Sequence, residues 1–171
     1  MPRAARSSTR RDRSDSGASL VEFALVLPLF MMVLLGMFTG GLAYSRKLAV
    51  TQATREGARY GATLPLTAEP TVDQWLSRVA SVAVSSSDGE LSATAPGMQL
   101  CVAYVPGSGT PRSVQIVGSA TSYSDATCFI DGRGSEARVQ VVGARSSKLE
   151  ALVWSEDLAI TSHAVSRFEA S

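Results

Sequence analysis

One histidine, two cysteines and two lysines in 171 residues leave little reactive chemistry in this chain. His163 has no acid, serine or cysteine spaced around it as a recognisable catalytic arrangement, so a solvent-facing strand position is expected for it. One histidine and two cysteines do not make up a metal-ligand set. Also missing are a glycine-rich phosphate loop, paired carboxylates in a defined setting and a basic stretch interleaved with aromatics. The expectation is no enzyme, no cofactor, no metal and no nucleic-acid partner. A net charge of +1 offers nothing to a polyanion.

Charge itself is missing from one place. From Phe23 to Ser45 there is none, a run of 23 residues. At 1.5 Å per residue this is roughly 34 Å of helix, against a hydrocarbon core of about 30 Å. The lipid bilayer is therefore the first partner expected, with a span over about 20–45. Five arginines and two acids precede Gly17, while Arg46 and Lys47 follow the run. The positive-inside tendency puts the N-terminus in the cytoplasm and the residues after about 46 outside. An ordinary secretory signal has a shorter apolar region and a small-residue cleavage site after it. Here Tyr44-Ser45-Arg46-Lys47 is bulky and charged, so ordinary signal cleavage is not expected. Fourteen of the 16 basic residues are arginine, and Ala, Val, Gly and Ser abound, a composition resembling that of GC-rich bacterial genomes.

The chain then divides into three parts. Residues 1–17 are polar and Arg/Ser-rich, without periodicity, and read as a disordered cytoplasmic leader. A helix is expected over 18–62. Ala49, Ala53, Gly57 and Gly61 recur every four residues on one face of it, and Leu64-Pro65 stops it. Residues 63–171 read as one extracytoplasmic α+β domain. Thr71 and Gln74 have capping-box spacing before an apolar stripe of Val72, Trp75, Leu76, Val79 and Val82, so a second helix is predicted, ending at 85–89. The period then becomes two, predicting an antiparallel sheet of about four strands at 98–105, 113–118, 137–143 and 158–165. Residues 119–135 read as a loop, and 149–154 as a short helix or an irregular crossover. No internal repeat is visible.

Cys101 and Cys128 both fall on the side placed outside, where a single pair has one connectivity. A disulfide closing about 28 residues would stabilise the fold by roughly 3–4 kcal/mol. The alternative is two buried thiols that never meet.

At the boundary of leader and span stands Ser16-Gly17-Ala18-Ser19-Leu20-Val21-Glu22-Phe23. A glycine lets backbone enter a tight active site extended, which suits cleavage by a prepilin peptidase between Gly17 and Ala18. Cleavage would leave a free amine on Ala18. Glu22 at the bilayer edge is costly unless paired, and a neighbouring subunit's Ala18 ammonium would pair it and set axial register. The alternative is a glutamate wet among the headgroups, with Gly17 as ordinary helix-start chemistry. Pro28 removes one backbone hydrogen bond and favours a kink, either as a place where the helix loosens or as a tolerated bend. Gly36 and Gly40 allow close approach of a second helix in lipid, although such spacings also arise by chance. Gly57 and Gly61 fit packing within the molecule. Arg55, Glu56 and Arg59 on adjacent turns read as a docking surface or as a solvated face.

Residues 17–28, Gly17-Ala18-Ser19-Leu20-Val21-Glu22-Phe23-Ala24-Leu25-Val26-Leu27-Pro28, resemble the opening of the TadE-like family of tight-adherence (Flp) pilus proteins. Thr54-Arg55-Glu56-Gly57-Ala58-Arg59-Tyr60-Gly61-Ala62 is similar to that family's second hallmark, with threonine in place of its first alanine. The ending through Arg167 and Glu169 resembles its final strand more weakly, and the middle carries no family signature. The resemblance implies a type IV pilin-like fold and a minor pilin-like (pseudopilin) structural or assembly subunit of the bacterial cytoplasmic membrane. Its partners would be prepilin peptidase, other pilin or pseudopilin subunits and Tad assembly proteins. The alternative is an unprocessed single-pass anchor whose outer domain binds an assembly component or an extracellular ligand.

Overall fold

The computed structural model describes residues 12–132, 134–151 and 154–169. A helix α1, Asp12–Thr63, is followed by a short 3-10 turn, Leu66–Ala68, and a helix α2, Val72–Ser85. Five strands follow: β1 Gln99–Val105, β2 Arg112–Val117, β3 Ala120–Ser124, β4 Arg138–Ala151 and β5 Trp154–Arg167. They form one antiparallel sheet in the order β3-β2-β1-β4-β5. The architecture is α+β, with two helices packed on one face of the sheet.

α1 begins at Asp12, earlier than the expected 18, because nothing between 12 and 17 breaks it: no proline intervenes and one glycine is tolerated. The expected disorder over 1–11 lies outside the described residues. Pro28 sits inside the helix without ending it. At the other end Pro65 has no N–H to continue the ladder. The carbonyls left over there find partners from distant parts of the chain. The Trp75 indole donates to the Leu64 carbonyl at 3.1 Å, and the Glu169 amide donates to that of Ala62 at 2.9 Å. The C-terminal segment is thus tied to the top of α1.

α2 starts where its capping residues lie, with the Thr71 hydroxyl accepting from the Gln74 amide at 3.2 Å. Its buried face is Trp75, Leu76, Val79, Ala80 and Ala83. Val72 is exposed and Val82 only half-buried, so the apolar stripe is turned from the expected one toward two alanines. Small residues let α2 approach α1 closely there. Trp75, Tyr104 and Phe168 meet edge to face, with centroids 5.3–6.2 Å apart, closing the end of the core beside the α1 terminus.

The sheet differs from expectation in two places. β3 lies inside the segment read as a loop. Its Thr121, Ser122, Tyr123 and Ser124 pair with β2, but its residues are mostly exposed, so no apolar alternation marks it. Residues 149–151 and 154 are neither helix nor crossover. β4 and β5 continue as a ribbon to the pair Ala151 and Trp154, beyond β1, whose pairing with β4 ends at Ala144. Leu152 and Val153 lie outside the described residues.

The pleat assigns the faces. Leu100, Val102, Val114, Val139 and Val141 point at the helices and join Val50, Ala53, Trp75, Val79 and Leu91 in one core. On the opposite face, Cys101, Ala103, Gln140 and His163 lie under or beside the segment carrying Cys128.

Candidate functional site

α1 has two surfaces in sequence. Along its first part the large apolar side chains stand bare: Leu20, Phe23, Leu25, Leu29 and Met37 are each more than 60 % exposed. Among the described residues one helix, Gly17–Thr63, is long and apolar enough to cross a membrane, and its most apolar window is nowhere buried by the rest of the molecule. Exposed apolar area on this scale suggests a membrane anchor. Gly17, Glu22, Phe23 and Pro28 all lie on this stretch and touch no other element. A Cβ added at Gly36 or Gly40 would meet nothing within 4 Å, so no element is packed closely on that glycine pair.

The second half of the same helix is core. A Cβ at Gly57 would lie 2.8 Å from the Ala83 Cβ of α2, and one at Gly61 would lie 3.0 Å from Val139 and 3.2 Å from Val79. These two glycines exist to let α2 and β4 lie against α1. Thr54, the departure from the family hallmark, is fully buried. Its hydroxyl lies 3.1 Å from that of Ser162 on β5 and donates to the Thr51 carbonyl, while its methyl faces Gly143. A threonine here is satisfied because β5 supplies a serine opposite it.

On the outward side, Arg59 forks onto Glu56 through two nitrogens at 2.8 and 3.2 Å. The Arg59 hydrogen bond holds the Glu56 carboxyl below its usual range. Arg55 is exposed and has no ion pair among the described residues. The three do not converge on one point; Glu56 and Arg59 neutralise each other and Arg55 stands alone.

Cys101 and Cys128 are joined in a disulfide. The polar device around it was not legible in the sequence. Gln140, fully buried on β4, accepts from the Cys128 amide at 3.1 Å and donates to the Phe129 carbonyl and to Asp131 at 3.0 and 2.9 Å. Arg138 forks onto the same Asp131 at 2.7 and 3.0 Å. Together they fasten residues 128–131 across the outer face. Gln140 stands between Val139 and Val141, as an ordinary solvent-side strand residue would, so alternation alone hides its burial. Arg145 is likewise nearly buried. It pairs with Glu90, and burial, with Arg46 nearby, pulls its pKa below the ordinary value.

His163 is exposed on β5 with its ring 5.3 Å from that of Phe129. Among the described residues no group of three His, Cys, Asp or Glu side chains could hold a metal ion. The arrangement offers surfaces for packing: a bare apolar rod, and a domain gripped to its upper half.

Neither a curated protein nor a solved structure matches this chain. A protein-family model, that of the TadE-like protein, does match, at residues 17–59. The matched segment runs from the bare apolar half of α1 to the glycine-faced half that holds the domain, and it suggests a Tad pilus-associated protein. Over this segment of α1 the chain is similar to the TadE-like family.

Proposed function

We propose that this protein is a minor pilin-like structural or assembly subunit, a pseudopilin, of a Tad/Flp-type pilus in a bacterial cytoplasmic membrane. The Arg-rich leader lies in the cytoplasm and the sheet domain outside, by the distribution of basic residues about the span. Prepilin peptidase removes residues 1–17, and Glu22 then pairs with the Ala18 ammonium of a neighbouring subunit. The work of the protein is packing rather than catalysis. The observation that carries this reading is the family match falling on one helix that is bare and apolar below and core above.

One observation favours a second reading. α1 runs through Gly17 to Asp12 without interruption, so the scissile bond must unwind before it can be cut. An unprocessed single-pass anchor, its outer domain binding an assembly component, has no such requirement. The N-terminus and intact mass of the protein from its native host separate the two. Processing gives Ala18 as the first residue and a mass lower by that of residues 1–17, and Gly17→Leu retains the leader. Met1 or Pro2 at the N-terminus, with full mass, refutes the pseudopilin reading.

A further inference from the structure

The uncharged run ends at Ser45, but the domain does not leave all of that run free for lipid. β4 descends along α1 in step with it. Gly61 faces Val139, Gly57 faces Val141, Thr54 and Val50 face Gly143, and Arg46 donates to the Ser147 hydroxyl at 2.8 Å. From 61 to 46 α1 falls about 22 Å and from 139 to 147 β4 falls about 26 Å, so the two run side by side. Lys148 lines one hollow with Phe38, Thr39, Leu42 and Arg46. On the other strand, Leu158 to Thr161 line a hollow with Gly40, Ala43, Tyr44 and Lys47.

The register carries charge to the same depth. Asp157 pairs with Lys148, Glu156 with Leu149 and Ser155 with Glu150. Asp157 and Glu156 are exposed. They therefore stand beside the part of α1 between about 39 and 44, which the uncharged run alone would place in hydrocarbon. Carboxylates are strongly disfavoured there.

We propose that the β4–β5 ribbon is a depth stop that rests on the outer lipid headgroups and ends the hydrocarbon-embedded part of α1 near Thr39. The proposal rests on α1 crossing a bilayer. Residues 20–39 make about 30 Å of helix, one hydrocarbon thickness. The residues withdrawn from lipid carry little apolar bulk: Gly40, Gly41, Leu42, Ala43, Tyr44 and Ser45, with Ala43 already buried by the domain. Tyr44, 65 % exposed, then lies in the headgroup layer where tyrosine is favoured, and Arg46, Lys47 and Lys148 lie at the level of lipid phosphates. At the other end the shift draws Glu22 about 3 Å inside the cytoplasmic boundary, which sharpens its need for a cationic partner.

The test uses the full chain in phosphatidylcholine vesicles, with the native cysteines paired and single nitroxide labels on Leu34→Cys, Tyr44→Cys and Ser155→Cys. Relaxation by oxygen should exceed relaxation by a water-soluble nickel chelate at 34, and the order should reverse at both 44 and 155. A hydrocarbon profile at 44 or at 155 overturns the depth stop while leaving the span intact. A nickel-dominated profile at 34 overturns the membrane reading beneath it, which is a different failure.

Discussion

Two glycine pairs with the same spacing lie on one helix, and the structure assigns them opposite sensitivities. A Cβ at Gly57 would come within 2.8 Å of the Ala83 Cβ, which cannot rotate away because alanine has no side-chain torsion to turn. Carbon atoms rest at about 3.5–4.0 Å, so Gly57→Ala must part α1 and α2 by about 1 Å. Overpacking of that kind costs about 1–3 kcal/mol. Against it stands the gain in helix propensity on replacing glycine by alanine, about 1 kcal/mol. The packing term wins, leaving a net loss of up to about 2 kcal/mol. At Gly40 there is nothing within 4 Å and no packing term. Thermal unfolding of the full chain in detergent micelles, followed through the fully buried Trp75, reads the difference. Gly57→Ala should melt several degrees lower, at roughly 4 °C or more per kcal/mol for a domain of this size, and Gly40→Ala should not. Adding Ala83→Gly to Gly57→Ala restores the gap, so the two changes should be less than additive in a double-mutant cycle. A Gly57→Ala protein that melts at or above the wild type would refute the close-approach argument.

Two further outcomes follow from the domain. The Cys101–Cys128 bond closes a sequence separation of 27, so replacing both cysteines by alanine should lower unfolding free energy by up to about 3–4 kcal/mol, read from denaturant midpoints of the full chain. A loss below about 1 kcal/mol would mean that Gln140 and Arg138 hold the segment unaided. Arg112 forks onto Asp73 at 2.7 and 2.8 Å, and this hydrogen bonding holds the Asp73 carboxyl below its usual range. A depressed carboxyl contributes stability that is present above its unfolded pKa, near 4, and is lost as pH falls through the lower folded value. The melting temperature of the wild type should therefore fall more steeply than that of Arg112→Gln below about pH 4; parallel acid limbs would exclude the pair as a source.

How far the sequence could be read depended on which solvent each residue meets. The long helix was legible because lipid and core both demand apolar residues, and a mostly apolar run of 23 residues without charge leaves few alternatives. α2 was legible from Thr71 and Gln74, although the apolar stripe was misplaced. Valine carries more weight in a hydrophobicity pattern than alanine, yet Ala80 is buried and Ala83 faces Gly57 of α1, where a Cβ on the glycine would lie 2.8 Å from that of Ala83. β3 was missed because Tyr123 and its serine and threonine neighbours are mostly exposed and show no alternation. The ribbon beyond Ala144 was only partly read, through the strand at 158–165: Arg145, Ser146, Ser147 and Lys148 are all polar, so no apolar alternation marks its β4 side. Gln140 and Thr54 were illegible because a polar residue is hidden only when a partner is brought to it, here Cys128, Phe129 and Asp131 for one and Ser162 for the other.

One helix that serves two solvents has a mechanical consequence. Between Arg46 and Gly61 the domain grips α1 at every turn, through Ser147, Gly143, Ala83, Val141 and Val139. No bend can be taken up inside that grip without opening the core. A bend between the apolar stretch and the domain is therefore expected below it, at Pro28 or at the adjacent pair Gly40-Gly41, where an added Cβ would meet nothing within 4 Å. Gly40 and Gly41 lie at the depth where the ribbon's acids stand. If the ribbon rests on the headgroups as proposed, a bend there would swing Glu156 and Asp157 toward or away from them, and a ribbon that limits depth would also limit tilt. On the depth-stop proposal, the contact that keeps the domain from sinking would also hold it upright.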